Sequence, residues 1–263
     1  MAFTPINIAS IVRFNSALSN EFLESYNNFV DEKIQHSADR IPHQTFAPSA
    51  CRCMRKSWFR IRGVEPDKVK HPDKKLNFSA EIGTACHRII QSNLAEMLKE
   101  NWIDVEDYLK EIDFPYDYTI EHDADSLESR LIINNPPITF ACDGILRLNG
   151  KYVLLEIKTA EFSTWSDLTD PKDEHIDQIK CYAALLNLDT ALVMYQDRQY
   201  GELKCYEMHI SERERQQTLD MFKYVLEMVE KNLAPEGLPV GDKWCSEAMC
   251  PYYKKCQEYG RLH

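Results

Sequence analysis

The amino-acid sequence predicts an α/β fold, a mixed central sheet flanked by helices. Asn149-Gly150 separates two strand-like runs, 140–148 and 151–159, and this dipeptide favours a two-residue type I′ hairpin turn. Two further strand-like runs, 191–196 and 203–210, lie around a turn containing Gly201. Helical patterns precede, divide and follow these strands, an order that packs helices onto a mixed sheet.

Taken along the chain, residues 19–39 read as helix within an N-terminal region, 1–45, that carries no legible motif. Cys51-Arg-Cys53-Met-Arg-Lys-Ser-Trp-Phe-Arg reads as a helix start with a basic face. Residues 79–99 form a helix with Ile82, Ala85, Ile89, Ile90, Leu94 and Met97 near helical spacing, the expected core face. Residues 102–137 are mixed and acidic and end at Pro136-Pro137. After the hairpin come a polar loop, 163–174, and a helix, 175–188. Ser211 with Glu214 three residues on forms a capping box that opens a long helix to about Asn232. A Pro/Gly linker, 235–241, leads to a tail holding Cys245, Cys250 and Cys256.

At 263 residues the chain can bury a full core. No apolar run approaches the ~20 residues that span a bilayer, and the N-terminus lacks a signal-peptide layout. The expectation is an intracellular protein with no membrane partner. In a reducing compartment, nine cysteines point to metal rather than disulfides. The net charge of −11 is unevenly spread. Residues 52–75 hold nine Lys/Arg against three Asp/Glu, a balance of +6 that leaves −17 elsewhere. A polyanion can bind such a patch while the acidic body limits non-specific binding.

The hairpin carries the chemistry. With the turn at Asn149-Gly150, facing residues have numbers summing to 299, so Asp143 lies opposite Glu156. Lys158 shares the face of Glu156 because side chains alternate along a strand. Phe140, Cys142, Leu146, Val153, Leu155 and Ile157 form the core-facing set. Two like charges face to face weaken a sheet unless something offsets them, and a divalent metal does so. A carboxylate pair with a lysine beside it suits metal-dependent phosphodiester hydrolysis. His87 lies mid-helix, one turn after Gly83, whose missing side chain permits close approach. Gln178 and Tyr182 are four residues apart and share a helix face. Cys245, Cys250 and Cys256 want a fourth thiolate, with Cys51 or Cys53 as donor, for tetrahedral zinc or an iron–sulfur cubane. Cys86, Cys142, Cys181 and Cys205 read as small core residues.

Together these residues resemble the PD-(D/E)XK nuclease superfamily, specifically its RecB-like branch with an iron–sulfur cluster, to which CRISPR-associated iron–sulfur exonucleases and AddB-type nuclease domains belong. The resemblance spans roughly residues 48–256. His87 looks like the family's early helix histidine, Asp143 like its strand-end aspartate, and Glu156-Ile157-Lys158 like its Glu-x-Lys. Gln178-Ile-Lys-Cys-Tyr182 matches its Gln-x-x-x-Tyr motif. Cys53-Met-Arg-Lys-Ser-Trp-Phe is similar to the stretch around its first cluster cysteine, which favours Cys53 over Cys51. Cys142 stands where the name-giving proline would be, and four residues rather than two separate Cys245 from Cys250.

The resemblance implies a restriction-endonuclease-like core over 46–234, with the tail, 235–263, packed back near 51–53. It implies Mg²⁺ or Mn²⁺ held by His87, Asp143, Glu156 and the Ile157 carbonyl, with Lys158 acting on the attacking water or the transition state. Gln178 and Tyr182 would position substrate or brace the lysine. A [4Fe–4S] cluster, or alternatively structural Zn²⁺, would sit on Cys53, Cys245, Cys250 and Cys256. The implied activity is exonuclease action on DNA ends or single strands, with recombination, repair, replication or CRISPR proteins, or a phage genome, as its setting. The competing expectation is a catalytically silent DNA-binding or assembly module of the same fold; an iron–sulfur redox protein is the weakest.

Overall fold

The computed structural model describes residues 16–38, 44–67, 74–122, 128–239 and 241–260. Its elements run α1 (Ala17–Ala38), α2 (Met54–Ile61), α3 (Lys74–Leu98), β1 (Trp102–Ile103), α4 (Val105–Glu111), β2 (Tyr118–His122), β3 (Ser129–Ile133), β4 (Ile138–Cys142), β5 (Gly144–Leu148) and β6 (Lys151–Ala160). Then come α5 (Phe162–Ser166), α6 (Asp173–Leu185), β7 (Thr190–Asp197), β8 (Leu203–His209), α7 (Glu212–Glu230) and α8 (Tyr253–Gly260). The chain divides into two units. The first consists of residues 1–41 with 70–78, and Lys74 on α3 pairs there with Asp31 on α1 at 3.0 Å. The second holds everything else, including residues 42–45, which the sequence grouped with the N-terminal region.

The second unit is built on a five-stranded sheet in the order β1-β5-β6-β7-β8. Only β6 and β7 run parallel, joined through α6; the other pairs are antiparallel. This is the mixed sheet flanked by helices that the sequence predicts. The hairpin forms with Asn149 and Gly150 both at positive φ, 51° and 77°, as a type I′ turn requires. Its register pairs Leu148 with Lys151 and Gly144 with Leu155, so the sum of 299 holds. The capping box forms too: Ser211 Oγ accepts from Glu214 N–H while the Glu214 carboxylate accepts from Ser211 N–H.

One sheet face carries Leu146, Val153, Leu155 and Ile157, which pack under Ile90, Leu94 and Leu98 of α3. The opposite face carries Ile145, Leu154, Ala191 and Val193, in a larger core with residues of α4, α6 and α7. The predicted single core-facing set is therefore split. Phe140 and Cys142 belong to β4, a strand of a separate three-stranded sheet, β2-β3-β4, and pack in the larger core. The chain leaves one sheet and enters the other at Asp143. Helix α3 also turns a different face inward than its apolar spacing suggested: Ile89 and Met97 are exposed. Cys205 is exposed on β8, an edge strand, rather than in the core, while Cys142 and Cys181 are buried as expected.

Residues 102–137, read only as mixed and acidic, contain β1, α4, β2 and β3. The Asp104 side chain caps α4 by accepting from Glu106 and Asp107 N–H. Two basic residues on and just after α2 make contacts within the protein. Arg55 Nε donates to the Pro235 carbonyl at 2.7 Å, and Arg62 stacks on Trp58 and bonds Asn232. Lys68 and Lys70 lie outside the described residues. Beyond the 235–239 linker the tail returns to α2. Tyr252 stacks on Phe59 with ring centroids 5.1 Å apart, and Asp67 N–H donates to the Pro251 carbonyl. No described helix is long and apolar enough to cross a membrane.

The junction at Asp143 leaves no room for a side chain on the next residue. A Cβ on Gly144 would stand 2.8 Å from the Trp102 ring. Gly144→Ala is therefore expected to cost about 1–3 kcal/mol of stability, the usual range for overpacking a filled site. Urea denaturation of the two proteins measures it; an unchanged midpoint would refute the close fit.

Candidate active site and cysteine cavity

Asp143 follows β4 and precedes β5, where the two sheets meet. It is 6% exposed, and Glu156, opposite it in the extended hairpin register, is 2% exposed. Asp143 Oδ2 accepts from the Ile157 N–H at 2.6 Å, and its carbonyl accepts from Gln91 Nε2 at 2.8 Å. Asp143 Oδ1 lies 3.2 Å from His87 Nδ1. Helix α3 can deliver His87 there because it passes close over the end of β6: a Cβ on Gly83 would already touch Thr159 Oγ1 at 3.4 Å.

Lys158 reaches back to Glu156, its Nζ 2.5 Å from Oε1, and donates to Gln178 Oε1 at 3.2 Å. Gln178 Nε2 donates in turn to Tyr182 Oη at 2.7 Å. Gln178 and Tyr182, on one face of α6, thus form a hydrogen-bonded chain that reaches Lys158. Glu156 Oε2 is buried without a hydrogen-bond partner, and so is Gln91 Oε1. Buried acceptors left unsatisfied carry a free-energy cost that a bound cation offsets.

Electrostatics follow from this crowding. Burial first, then the Asp143 charge, pushes the Glu156 carboxyl up to about 8, against the pull of Lys158. Burial pulls the His87 imidazolium down, but Asp143 and Glu128 more than offset it, so it titrates at about 9. Burial also pulls Lys158 down, and Glu156 with Asp143 leave it above the ordinary lysine value. Lys158 is therefore a cation at neutral pH and a hydrogen-bond donor, not a base. Tyr182, raised chiefly by burial, stays a neutral phenol.

Sequence reasoning missed two residues here. Gln91 is one turn after His87 on α3, and that spacing alone could have marked it. Glu128 immediately precedes β3, and its Oε1 lies 3.6 Å from His87 Nδ1. His87, Glu128 and Asp143 offer ligand atoms all within 4.8 Å of one another, a grouping that fits a divalent metal. Glu156 stands outside that trio, held by Lys158. The Asn135-Pro136 turn was the available signal for Glu128: read as a second hairpin, it pairs Ser129 with Cys142 and so carries Glu128 opposite Asp143.

A second feature adjoins this site. A cavity of about 280 Å³ is lined by Cys53, Cys245, Cys250 and Cys256 together with Lys158 and Gln178. The Cys53 and Cys256 thiols act electrostatically on both Cys245 and Cys250, so the four sulfurs are neighbours. Arg55 Nη1 points at Cys256 Sγ, 3.7 Å away. Cys51 also lines the cavity, but its thiol hydrogen-bonds with Cys181. Among the described residues no three of these sulfurs lie within 4.8 Å of one another.

No family model matches the chain, and no curated protein does. Among solved structures, the crystal structure of SSO0001 aligns with 90% of this chain and 98% of that one, at 18% identity and a TM-score of 0.44. LHK-Exo in complex with dAMP covers 73% of this chain and 90% of its own, at 12% identity and a TM-score of 0.42. An alkaline exonuclease (LHK-Exo) from Laribacter hongkongensis covers 84% and 96%, at 14% identity and a TM-score of 0.37.

Proposed function

We propose that this chain is a Mg²⁺- or Mn²⁺-dependent deoxyribonuclease, an exonuclease acting on DNA ends or single strands. The observation that carries the reading is the buried pair Asp143 and Glu156, with one Glu156 oxygen unpartnered and the Lys158 ammonium pinned beside it by Gln178. A carboxylate pair so placed repels itself unless a cation joins it. His87, Asp143, Glu156 and the Ile157 carbonyl would hold the ion. Once bound, it would supply Lewis-acid stabilisation of charge developing on the scissile phosphate.

The chain's own groups do the rest. The Ile157 N–H and Gln91 fix Asp143, from its carboxylate and its carbonyl respectively. Tyr182 and Gln178 hold Lys158 so that its ammonium can donate to the incoming water or to the transition-state charge, pre-organised rather than recruited. Cys53, Cys245, Cys250 and Cys256 would hold a [4Fe–4S] cluster whose role is to tie α2 to the C-terminal tail. Binding free energy at such a site becomes folding free energy. Partner proteins of recombination, repair, replication or CRISPR DNA processing fit this activity.

The test is cleavage of end-labelled single- and double-stranded DNA by anaerobically purified protein, with Mn²⁺ or with EDTA, beside Lys158→Ala. The expected result is Mn²⁺-dependent shortening from one end that is lost in the variant. DNA bound but never cut would replace this reading with that of a silent binding module.

A further inference from the structure

Asp143 has a carboxylate neighbour on each side, and only one of the two belongs to a recognisable motif. Across the β5–β6 hairpin, facing residues sum to 299 and bring Glu156 opposite it. Across β3–β4, Ser129 pairs with Cys142 and Ile133 with Ile138, a sum of 271. Extended by one residue, that register brings Glu128 opposite Asp143. Three carboxylates thus line up across two sheets at the point where the chain passes between them, and His87 enters from α3.

We infer that Glu128 is a ligand of the divalent ion, completing with His87 and Asp143 a cation position that no sequence motif marks. The inference rests on the metal dependence proposed above. Three independent features support it. The ligand atoms of His87, Glu128 and Asp143 already lie within 4.8 Å of one another, and imidazole with two carboxylates is a donor set suited to Mn²⁺ or Mg²⁺. Glu156, nine-tenths buried and facing Asp143, keeps Oε2 unpartnered, and Gln91, wholly buried against Asp143, keeps Oε1 unpartnered. Finally, Glu128 Oε1 lies 3.6 Å from His87 Nδ1, whereas Glu156 Oε1 is bound by Lys158. Glu128 is also the most exposed of the three carboxylates.

Glu128 also pairs with a protonated His87 in the metal-free protein, so Mn²⁺ affinity is what separates a ligand from an ion-pair partner alone. Removing a ligand lowers affinity for the ion, whereas removing only an ion-pair partner of His87 leaves that affinity unchanged. Mn²⁺ binding to the full chain is measured by calorimetry, and melting is followed in EDTA and in saturating Mn²⁺, for wild type, Glu128→Gln and Glu128→Asp. If Glu128 is a ligand, the glutamine variant binds Mn²⁺ about tenfold or more weakly. The rise in melting temperature from EDTA to saturating Mn²⁺ shrinks, and the aspartate variant recovers part of the affinity. Unchanged Mn²⁺ affinity with a lower melting temperature in EDTA means an ion pair only and overturns the inference. Wild type that binds no Mn²⁺ overturns it as well. Wild type that binds Mn²⁺ through Glu128 yet cuts no DNA upholds the inference while removing the nuclease reading, so the two fail separately.

Discussion

Glu156→Gln is expected to lower Mn²⁺-dependent cleavage by roughly a thousandfold or more while changing how the protein responds to pH. The first effect follows from removing a charge from the ion's surroundings: a loss of roughly 4 kcal/mol of transition-state stabilisation corresponds to about three powers of ten. Glutamine keeps the shape and can still meet Lys158 through its carbonyl oxygen, so the fold should survive. The second effect follows from burial. Glu156 titrates near 8 in the folded protein, above its ordinary carboxylate value, because burial and Asp143 oppose its charge. A group whose folded pKa is raised contributes stability below its unfolded pKa and loses it as pH climbs through the folded value. His87, raised to about 9 by Asp143 and Glu128 against burial, acts in the same direction. Metal-free wild type should therefore lose stability from about pH 4.5 to pH 9, Glu156 acting between about 4.5 and 8 and His87 between about 6.5 and 9. The glutamine variant should lose less, keeping only the part due to His87. Melting curves in EDTA across that range, with cleavage rates in Mn²⁺, measure both effects. Equal slopes for the two proteins would sink the electrostatic account, and retained cleavage would sink the role in catalysis.

Cys256→Ser should act through the fold. Cys256 lies on α8, where Arg55 of α2 reaches its sulfur and the Pro235 carbonyl together. If the four cysteines hold the proposed cluster, losing one ligand belongs to the small class of changes costing about 4 kcal/mol or more, about 10 °C or more in melting temperature for a chain of this size. The expected result is protein with little bound iron that melts early or precipitates, while the folded fraction cuts DNA far better than Glu156→Gln. Two controls sharpen it. Cys205→Ser, on an exposed edge strand, should be silent. Cys51→Ser should keep its iron, because the Cys51 thiol is paired with Cys181. Wild-type iron content and melting temperature in Cys256→Ser would contradict the cluster assignment.

Local rules made part of this protein legible. Asn149-Gly150 dictates a turn with two positive φ angles, and that turn dictates a register; Asp143, Glu156 and Lys158 followed by counting. Ser211 and Glu214 mark a helix start because their side chains satisfy amides that the first turn leaves unpaired. Gln178 and Tyr182 share a face through helix geometry. The strands and cap between 102 and 133 were harder to read: β1, β2 and β3 are two to five residues long, and short polar-edged runs give weak periodicity.

Other features depend on neighbours distant in sequence. Which stripe of α3 is buried was decided by the sheet beneath it, which takes Ile90, Leu94 and Leu98 and leaves Ile89 and Met97 to solvent. That Phe140 and Cys142 serve a different core from Leu146 was decided by a strand break at Asp143. Glu128 joins the site only because two hairpins with unrelated turns meet at one aspartate. By itself, the sequence determined the α/β class, the hairpin register and the carboxylate–lysine set, all consequences of spacing within one or two elements. The tertiary structure decided the burial that raises Glu156, the carboxylates that raise His87 against burial, the bracing of Lys158 by α6, and the arrival of Glu128. Those depend on contacts between elements, which local periodicity does not encode.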